Sequence, residues 1–406
     1  MPPATKPADI ANLEIGSIQT KPVQHRSWWR GGVEILLISV IAIAGMELFF
    51  NTVGVGMEEI LQPDPVFGTK HIPGKHVVWR MEGFSQDSFN SVGLRDTEHP
   101  IAKPSGVFRI ALLGDSSTEG LQVPFEQTYG KRLEQLLQKQ GKNVEVINFA
   151  CSGYSTGQEL LQFEQQVAAY KPDLTLLLYN RGDAVENVRP RGQAEPRPYF
   201  YINDAGKVEQ DNSVLTAYAK DLQPNPLNDF LRKNSRIYGV LGQTGLKLSI
   251  NEPLYLKLKG FVTPKSRKFK AAAVADAKTQ DSLAVTSALL EQLDADCRKA
   301  GSKFVLVAFP NMVEDPEFAR QIAKFQAMSK EDGFGFYDLT PSFHWNKDPM
   351  SHFFKYHFSG KGHKLVADRV GEYLLQTNQI PAKQMSANQI PTNQTPTNQT
   401  PANEVR

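Results

Sequence analysis

Two serines stand side by side where an apolar run ends: in RIALLGDSSTEG, residues 109–120, Ser116 and Ser117 follow directly on Gly114 and Asp115. A seryl hydroxyl is a weak nucleophile until an imidazole takes its proton, so such chemistry requires a histidine brought to hydrogen-bonding distance by the fold. Read without partners, the same stretch is also a tight strand-to-helix turn. Four histidines, His344, His352, His357 and His363, crowd the C-terminal part of the chain. No pair among them has the i, i+4 spacing of a helical zinc site and no cysteine lies nearby, so neither a metal nor another cofactor is expected.

The elements that must position these residues alternate. FRIALLG (108–114), NVEVINFAC (143–151), DLTLLLYN (173–180), KFVLVAFP (303–310) and FGFYDL (334–339) read as strands. Between them lie helical patterns: Tyr129, Leu133, Leu136 and Leu137 on one face, a helix opened by Thr156 and Glu159 and running to about Tyr170, and Leu283, Leu290, Leu293 and Cys297 at helical spacing. Further helices are expected around 316–330 and from Ser359 to Thr377. Strands alternating with helices imply an α/β fold of three layers, α/β/α, around a mostly parallel sheet. In such sheets ligands bind beyond the carboxyl ends of the strands, which directs attention to the turns GDSSTEG, CSGYSTG and NRGDAVEN.

Outside that rhythm the chain divides further. Residues 1–30 are polar, and 31–53 form a long apolar stretch preceded by Trp28 and Trp29; this reads as an uncleaved transmembrane helix. Lys21, Arg26 and Arg30 before it and Glu58 and Glu59 after it predict a cytoplasmic N-terminus and a periplasmic or extracellular remainder. Residues 54–105 read as an irregular membrane-proximal segment, 106–377 as the catalytic domain, 188–270 as an insertion within it containing the basic run KSRKFK, and 378–406 as a disordered Asn/Gln/Pro/Thr repeat tail. With 45 basic against 43 acidic residues among 406, the net charge of +2 leaves no electrostatic footprint for nucleic acid. Cys151 and Cys297 are too few for a disulfide framework and read as two buried thiols.

Taken together these blocks resemble the SGNH/GDSL hydrolase family, over about residues 90–375 and in the membrane-anchored form found in polysaccharide gene clusters. The resemblance implies a flavodoxin-like α/β/α fold, Ser116 as nucleophile, the N–H groups of Ser116 and Gly153 as oxyanion donors, and His357 of HFSGKGH as the base. Read on their own surroundings, Asp115 is a turn-holding residue and His363, four residues into the last helix, a structural one. Two positions depart from the family's pattern. Its third block, Gly-x-Asn-Asp, is here Asn180-Arg181-Gly182-Asp183, so Asn180 serves as the third oxyanion donor only from a shifted register. The acid expected two or three residues before the histidine is replaced by Phe354 and Lys355, leaving Asp348 as the nearest upstream candidate.

The expected function is therefore that of a membrane-anchored serine esterase acting on O-acyl, especially acetyl, esters of an envelope carbohydrate or lipid. Acyl transfer to exopolysaccharide shares the same serine chemistry. The two departures also raise the reading of a catalytically weak domain that binds glycan or scaffolds a complex.

Overall fold

The computed structural model describes residues 28–53, 59–188, 195–221, 226–241 and 281–381. The N-terminal tail, KSRKFK and nearly all of the repeat tail lie outside the described residues. By contacts the chain divides into two units, 1–49 and 50–406. In the first, the described residues belong to helix α1 (Trp28–Val53), whose most apolar 18-residue window has a mean hydropathy of 2.3 and is not buried. It is long and apolar enough to span a membrane.

The second unit is built on five parallel strands. They are β5 (Phe108–Gly114), β6 (Val144–Asn148), β7 (Leu174–Tyr179), β10 (Lys303–Ala308) and β11 (Gly335–Asp338), in the spatial order β6-β5-β7-β10-β11. Numbered within the sheet, that order is 2-1-3-4-5, a doubly wound arrangement whose topological switch point lies between β5 and β7. The strand residues are buried on both faces because their side chains alternate between two cores. Ala111, Leu113, Ile147, Leu177 and Leu306 join one core with α4 (Thr156–Gln165), α8 (Ser282–Lys299) and α9 (Pro316–Asp332). Ile110, Leu112, Val146, Leu176 and Val305 join the other with α3 (Tyr129–Lys139), α10 (Thr340–His344) and α11 (Gly360–Gln376). The expected three-layer α/β/α fold is thus present, and Cys151 and Cys297 are both free and buried.

The segment before the sheet is more ordered than its composition suggests. It forms two antiparallel hairpins, β1 (Leu61–Asp64) with β2 (Gly68–His71) and β3 (His76–Trp79) with β4 (Ser85–Ser88). Four-residue strands carry too few positions to establish a period of two, which is why the sequence reads as irregular there. Within the 188–270 interval, β8 (Tyr199–Ile202) pairs with β9 (Val208–Asp211), and Phe200 of this hairpin packs into the core beside α4.

The segment is fastened to the sheet by Arg109, whose guanidinium is fully buried. It pairs with Glu145 at 2.6 Å and donates to the carbonyls of Pro100 at 3.0 Å, Ile101 at 3.0 Å and Tyr170 at 2.6 Å. Arg109→Ala is expected to lower stability by about 3–5 kcal/mol, since it leaves three carbonyls without this donor and Glu145 with only His99 as its partner among the described residues. Urea denaturation followed by circular dichroism checks this, and a loss below ~1 kcal/mol would mean that the segment is held by other contacts.

Candidate active site

Three turns at the carboxyl ends of adjacent strands converge at the switch point. After β5, Asp115 caps the short helix α2 (Ser116–Glu119) by accepting from the Ser117 N–H at 2.8 Å. Ser116 thereby becomes the first helical residue, with a free backbone N–H, as first-turn amides have no partner within the helix. The second carboxylate oxygen of Asp115 accepts from Asn180 Nδ2 at 3.0 Å, which ties the turn after β7 to the serine turn. Burial raises the Asp115 pKa against the hydrogen bonds from Ser117 and Asn180.

Ser116 Oγ lies 2.9 Å from His357 Nε2, although 241 residues separate them. His357 sits on the return of a tight hairpin in which Phe353 bridges to Phe358 and the Phe354 N–H donates to the His357 carbonyl at 2.9 Å. Its other nitrogen, Nδ1, lies 2.8 Å from Glu82 Oε2. A carboxylate only accepts, so Nδ1 carries the proton and Nε2 is left to accept from the serine. Asp348, the acid expected in this role, is not at the imidazole: its carboxylate accepts from the Ser351 N–H at 3.3 Å and caps a turn. The sequence-nearest acid is spent on local backbone, and Glu82 arrives instead from the turn between β3 and β4. Gly83 permits that turn, because its φ is +69° and a Cβ there would stand 2.2 Å from the Gln122 carbonyl and 2.7 Å from the Phe354 ring.

On the opposite side lies the turn after β6. Gly153 has φ +78°, with nothing within 4 Å of where its Cβ would be, so backbone there is open to a ligand. The preceding residue, Ser152, is fixed by Glu119, whose Oε2 accepts from the Ser152 N–H at 2.9 Å and from the Ser152 hydroxyl. Glu119 is fully buried, and its Oε1 lies 2.9 Å from His71 Nε2. His71 Nδ1 faces the Gly93 carbonyl at 2.9 Å. The Gly93 carbonyl before Nδ1 and the Glu119 carboxylate beside Nε2 both favour the protonated ring. Burial opposes that charge, but the Cys151 sulfur and the Glu119 carboxylate outweigh it and hold the His71 pKa well above its ordinary value. Burial likewise opposes the Glu119 charge, and His71, Ser152 and Arg95 bring its pKa below the ordinary value. Arg95 adds hydrogen bonds to the carbonyls of Glu119 at 2.9 Å and Gly120 at 2.5 Å.

Asn180 points its side-chain amide at Asp115, and its own N–H donates to Asp183 at 3.0 Å. Beneath it, Glu159 is fully buried and neither of its carboxylate oxygens has a hydrogen-bond partner among the described residues. Burial, then the charges of Asp183 and Asp115, push its pKa well above the carboxylate range. His363 is buried against Tyr129, accepting its N–H on Nδ1 at 3.1 Å, and burial lowers its pKa to about 3, so it is neutral. Among the described residues no group of three or more His, Cys, Asp or Glu could hold a metal ion.

The structure therefore brings Ser116 and His357 together, leaves Gly153 open beside the serine turn, sets Asn180 on Asp115, and puts Glu82 where Asp348 was expected. Glu82, Glu119 and His71 were not foreseen. For Glu82 the only trace in the sequence is an acid before a turn glycine in WRMEGF, which carries no specificity.

A serine, a histidine and a carboxylate thus stand in hydrogen-bonding order at the switch point of a doubly wound sheet, an arrangement in which an imidazole can activate a seryl hydroxyl. Residues 112–236 match the model of the GDSL-like lipase/acylhydrolase family. It is 32% identical over 83 residues to an arylesterase of Vibrio mimicus, an alignment covering 20% of this chain and 42% of that protein. The chain thus spans about two fifths of the length of this curated relative. Similar solved structures include an acetylxylan esterase of Geobacillus stearothermophilus, at 14% identity and TM-score 0.36 over 66% of this chain and 93% of that one. A lipase/acylhydrolase of Enterococcus faecalis is similar at 12% identity and TM-score 0.37, over 66% and 96%.

The His71–Glu119 pair predicts a pH-dependent stability. Because the His71 pKa is raised, its contribution is complete below the ordinary 6.5 and is lost as pH rises through the folded value. Because the Glu119 pKa is lowered, its contribution is complete above the ordinary 4.5 and is lost as pH falls through the folded value. His71→Gln is expected to cost about 3–5 kcal/mol at a pH near 5.5, and the deficit should shrink in alkali. Urea titrations of both proteins across pH measure it, and a deficit that stays constant into alkali would contradict a charged His71. Glu159→Gln is expected to do the reverse, stabilising the protein at alkaline pH and changing little in acid, since the buried carboxyl must otherwise keep its proton.

Proposed function

We propose that the protein is a serine ester hydrolase acting on O-acyl groups, acetyl above all, and that α1 anchors it in a membrane with the catalytic domain on the periplasmic or outer side. The observation that carries this reading is the unbroken relay from Glu82 through His357 to Ser116, with contacts of 2.8 and 2.9 Å. Ser116 Oγ attacks the ester carbonyl as its proton passes to His357 Nε2, and Glu82 holds the imidazole in the required tautomer and stabilises the imidazolium. The developing oxyanion lies at the N–H groups of Ser116 and Gly153, donors fixed before the reaction begins. His357 returns the proton to the departing alcohol, and water then cleaves the acyl-serine by the same steps in reverse.

Asn180 stands within this arrangement but is held by Asp115, so it acts chiefly by fixing the serine turn. The reading of a catalytically weak binding domain drew on the missing acid and the displaced Asn; Glu82 stands where the acid was missing, and the second departure persists, since Asn180 is held by Asp115. Acyl transfer to a glycan hydroxyl shares every step up to the acyl-enzyme and is separated from hydrolysis by analysing products with and without a glycan acceptor.

A fluorophosphonate probe tests the reading directly. Wild type should be labelled and Ser116→Ala should not, while an absence of labelling in folded wild type would overturn an active nucleophile. Glu82→Gln should lower kcat on p-nitrophenyl acetate by roughly 10²–10⁴-fold. Asp348→Asn should leave kcat within about twofold, and the opposite ranking would return the orienting role to Asp348.

A further inference from the structure

The esterase reading fixes which side of the site receives which part of the substrate. In the acylation step the Ser116 Oγ–carbon bond forms, the ester C–O bond breaks, and the proton taken by His357 is delivered to the alcohol oxygen that leaves. The alcohol must therefore stand against His357, and the oxyanion against Gly153.

The surface around His357 is made by two turns that meet edge to edge. The turn 80–84 carries Glu82, and the turn 354–357 carries His357. They touch where the Phe354 ring passes over Gly83 and where the Tyr356 N–H reaches Glu82 Oε2 at 3.5 Å. Each turn supplies one member of the relay, and each flanks it with large apolar side chains turned to solvent. Met81 is 59% exposed, Phe84 49%, Phe354 40% and Tyr356 66%. A cation lies on each turn: the Arg80 guanidinium stacks 5.0 Å from the Phe84 ring centre, and Lys355 Nζ lies 4.8 Å from that of Tyr356. Apolar side chains gathered at one place on a soluble surface mark an interaction site. Rings bearing cations suit a ligand that has one apolar face and carries negative charge, which describes a pyranose with acidic substituents better than a plain hydrocarbon chain.

We propose that the paired turns 80–84 and 354–357 form the leaving-group subsite, and that the alcohol they take is a sugar ring of an anionic glycan. This rests on the esterase reading for its orientation. Specificity then lies in the same turns that deliver the base and its acid, so binding the correct sugar seats the ring directly under the proton donor.

The test uses the full chain with four ligands: p-nitrophenyl acetate, acetylated polygalacturonate, neutral acetylated xylan, and vesicles of phosphatidylglycerol. Arg80→Ala, Lys355→Ala and Phe84→Ala should each raise KM for acetylated polygalacturonate by about 3–10-fold with kcat within twofold, the size expected for one exposed cation or aromatic contact. The two charge variants should leave neutral acetylated xylan within twofold. Equal effects on xylan and polygalacturonate, no effect on either, or hydrolysis confined to vesicles would overturn the proposal. Calorimetric binding of de-acetylated polygalacturonate to Ser116→Ala supplies an arm independent of turnover. Binding weakened by Lys355→Ala supports the subsite, its absence overturns it, and loss of p-nitrophenyl acetate hydrolysis alone counts only against the esterase reading.

Discussion

The site depends on keeping one fully buried carboxylate, that of Glu119, charged. Glu119 is three residues beyond Ser116 on the same short helix, and it holds Ser152, the neighbour of Gly153, through two hydrogen bonds. The serine turn and the turn that carries Gly153 are thus bound to a common anchor. An ionised carboxylate without solvent is expensive unless it is paired. His71 supplies that pairing from the first β-hairpin, and Arg95 braces the backbone on which the carboxylate sits. The segment ahead of the sheet is consequently part of the site's interior.

A second electrostatic device is arranged in the opposite sense. Glu159 is buried with no hydrogen-bond partner for its carboxylate among the described residues, and burial with the charges of Asp183 and Asp115 holds its pKa well above the carboxylate range. Between the charged Glu119 and the neutral Glu159, the serine turn is supported by groups of different charge whose states are set by their neighbours. Asp115 and Asn180 are held by each other and by local amides. None of these contacts needs a ligand to form, so donors and relay are in position before substrate arrives.

How much of this was legible in the sequence follows from where the information lies. The five strands were readable because each is an apolar run bounded by turn residues, and β5 and β7 are buried along nearly their whole length. Ser116, Gly153 and His357 were readable because they sit in compact local blocks. The orienting acid was not, since Glu82 meets His357 across 275 residues and stands in a turn between four-residue strands, with no periodicity to mark it. The expectation that it would precede the histidine failed for a local reason: Asp348 is occupied by the backbone of its own turn. His71 and Glu119 escaped notice because a buried ion pair leaves no pattern in either partner's neighbourhood.

The placement of Glu82 separates the limits of similarity from the limits of the working unit. The matched region begins at residue 112 and ends at 236, and it holds the serine, Gly153 and Asn180 but neither the histidine nor its acid. A fragment cut to begin at β5 would keep the sheet and its two cores yet lose His71, Glu82 and Arg95 together. The stretch joining α1 to the sheet therefore supplies the carboxylate that holds His357, and replacing it would remove Glu82 while leaving Ser116 and His357 in the chain.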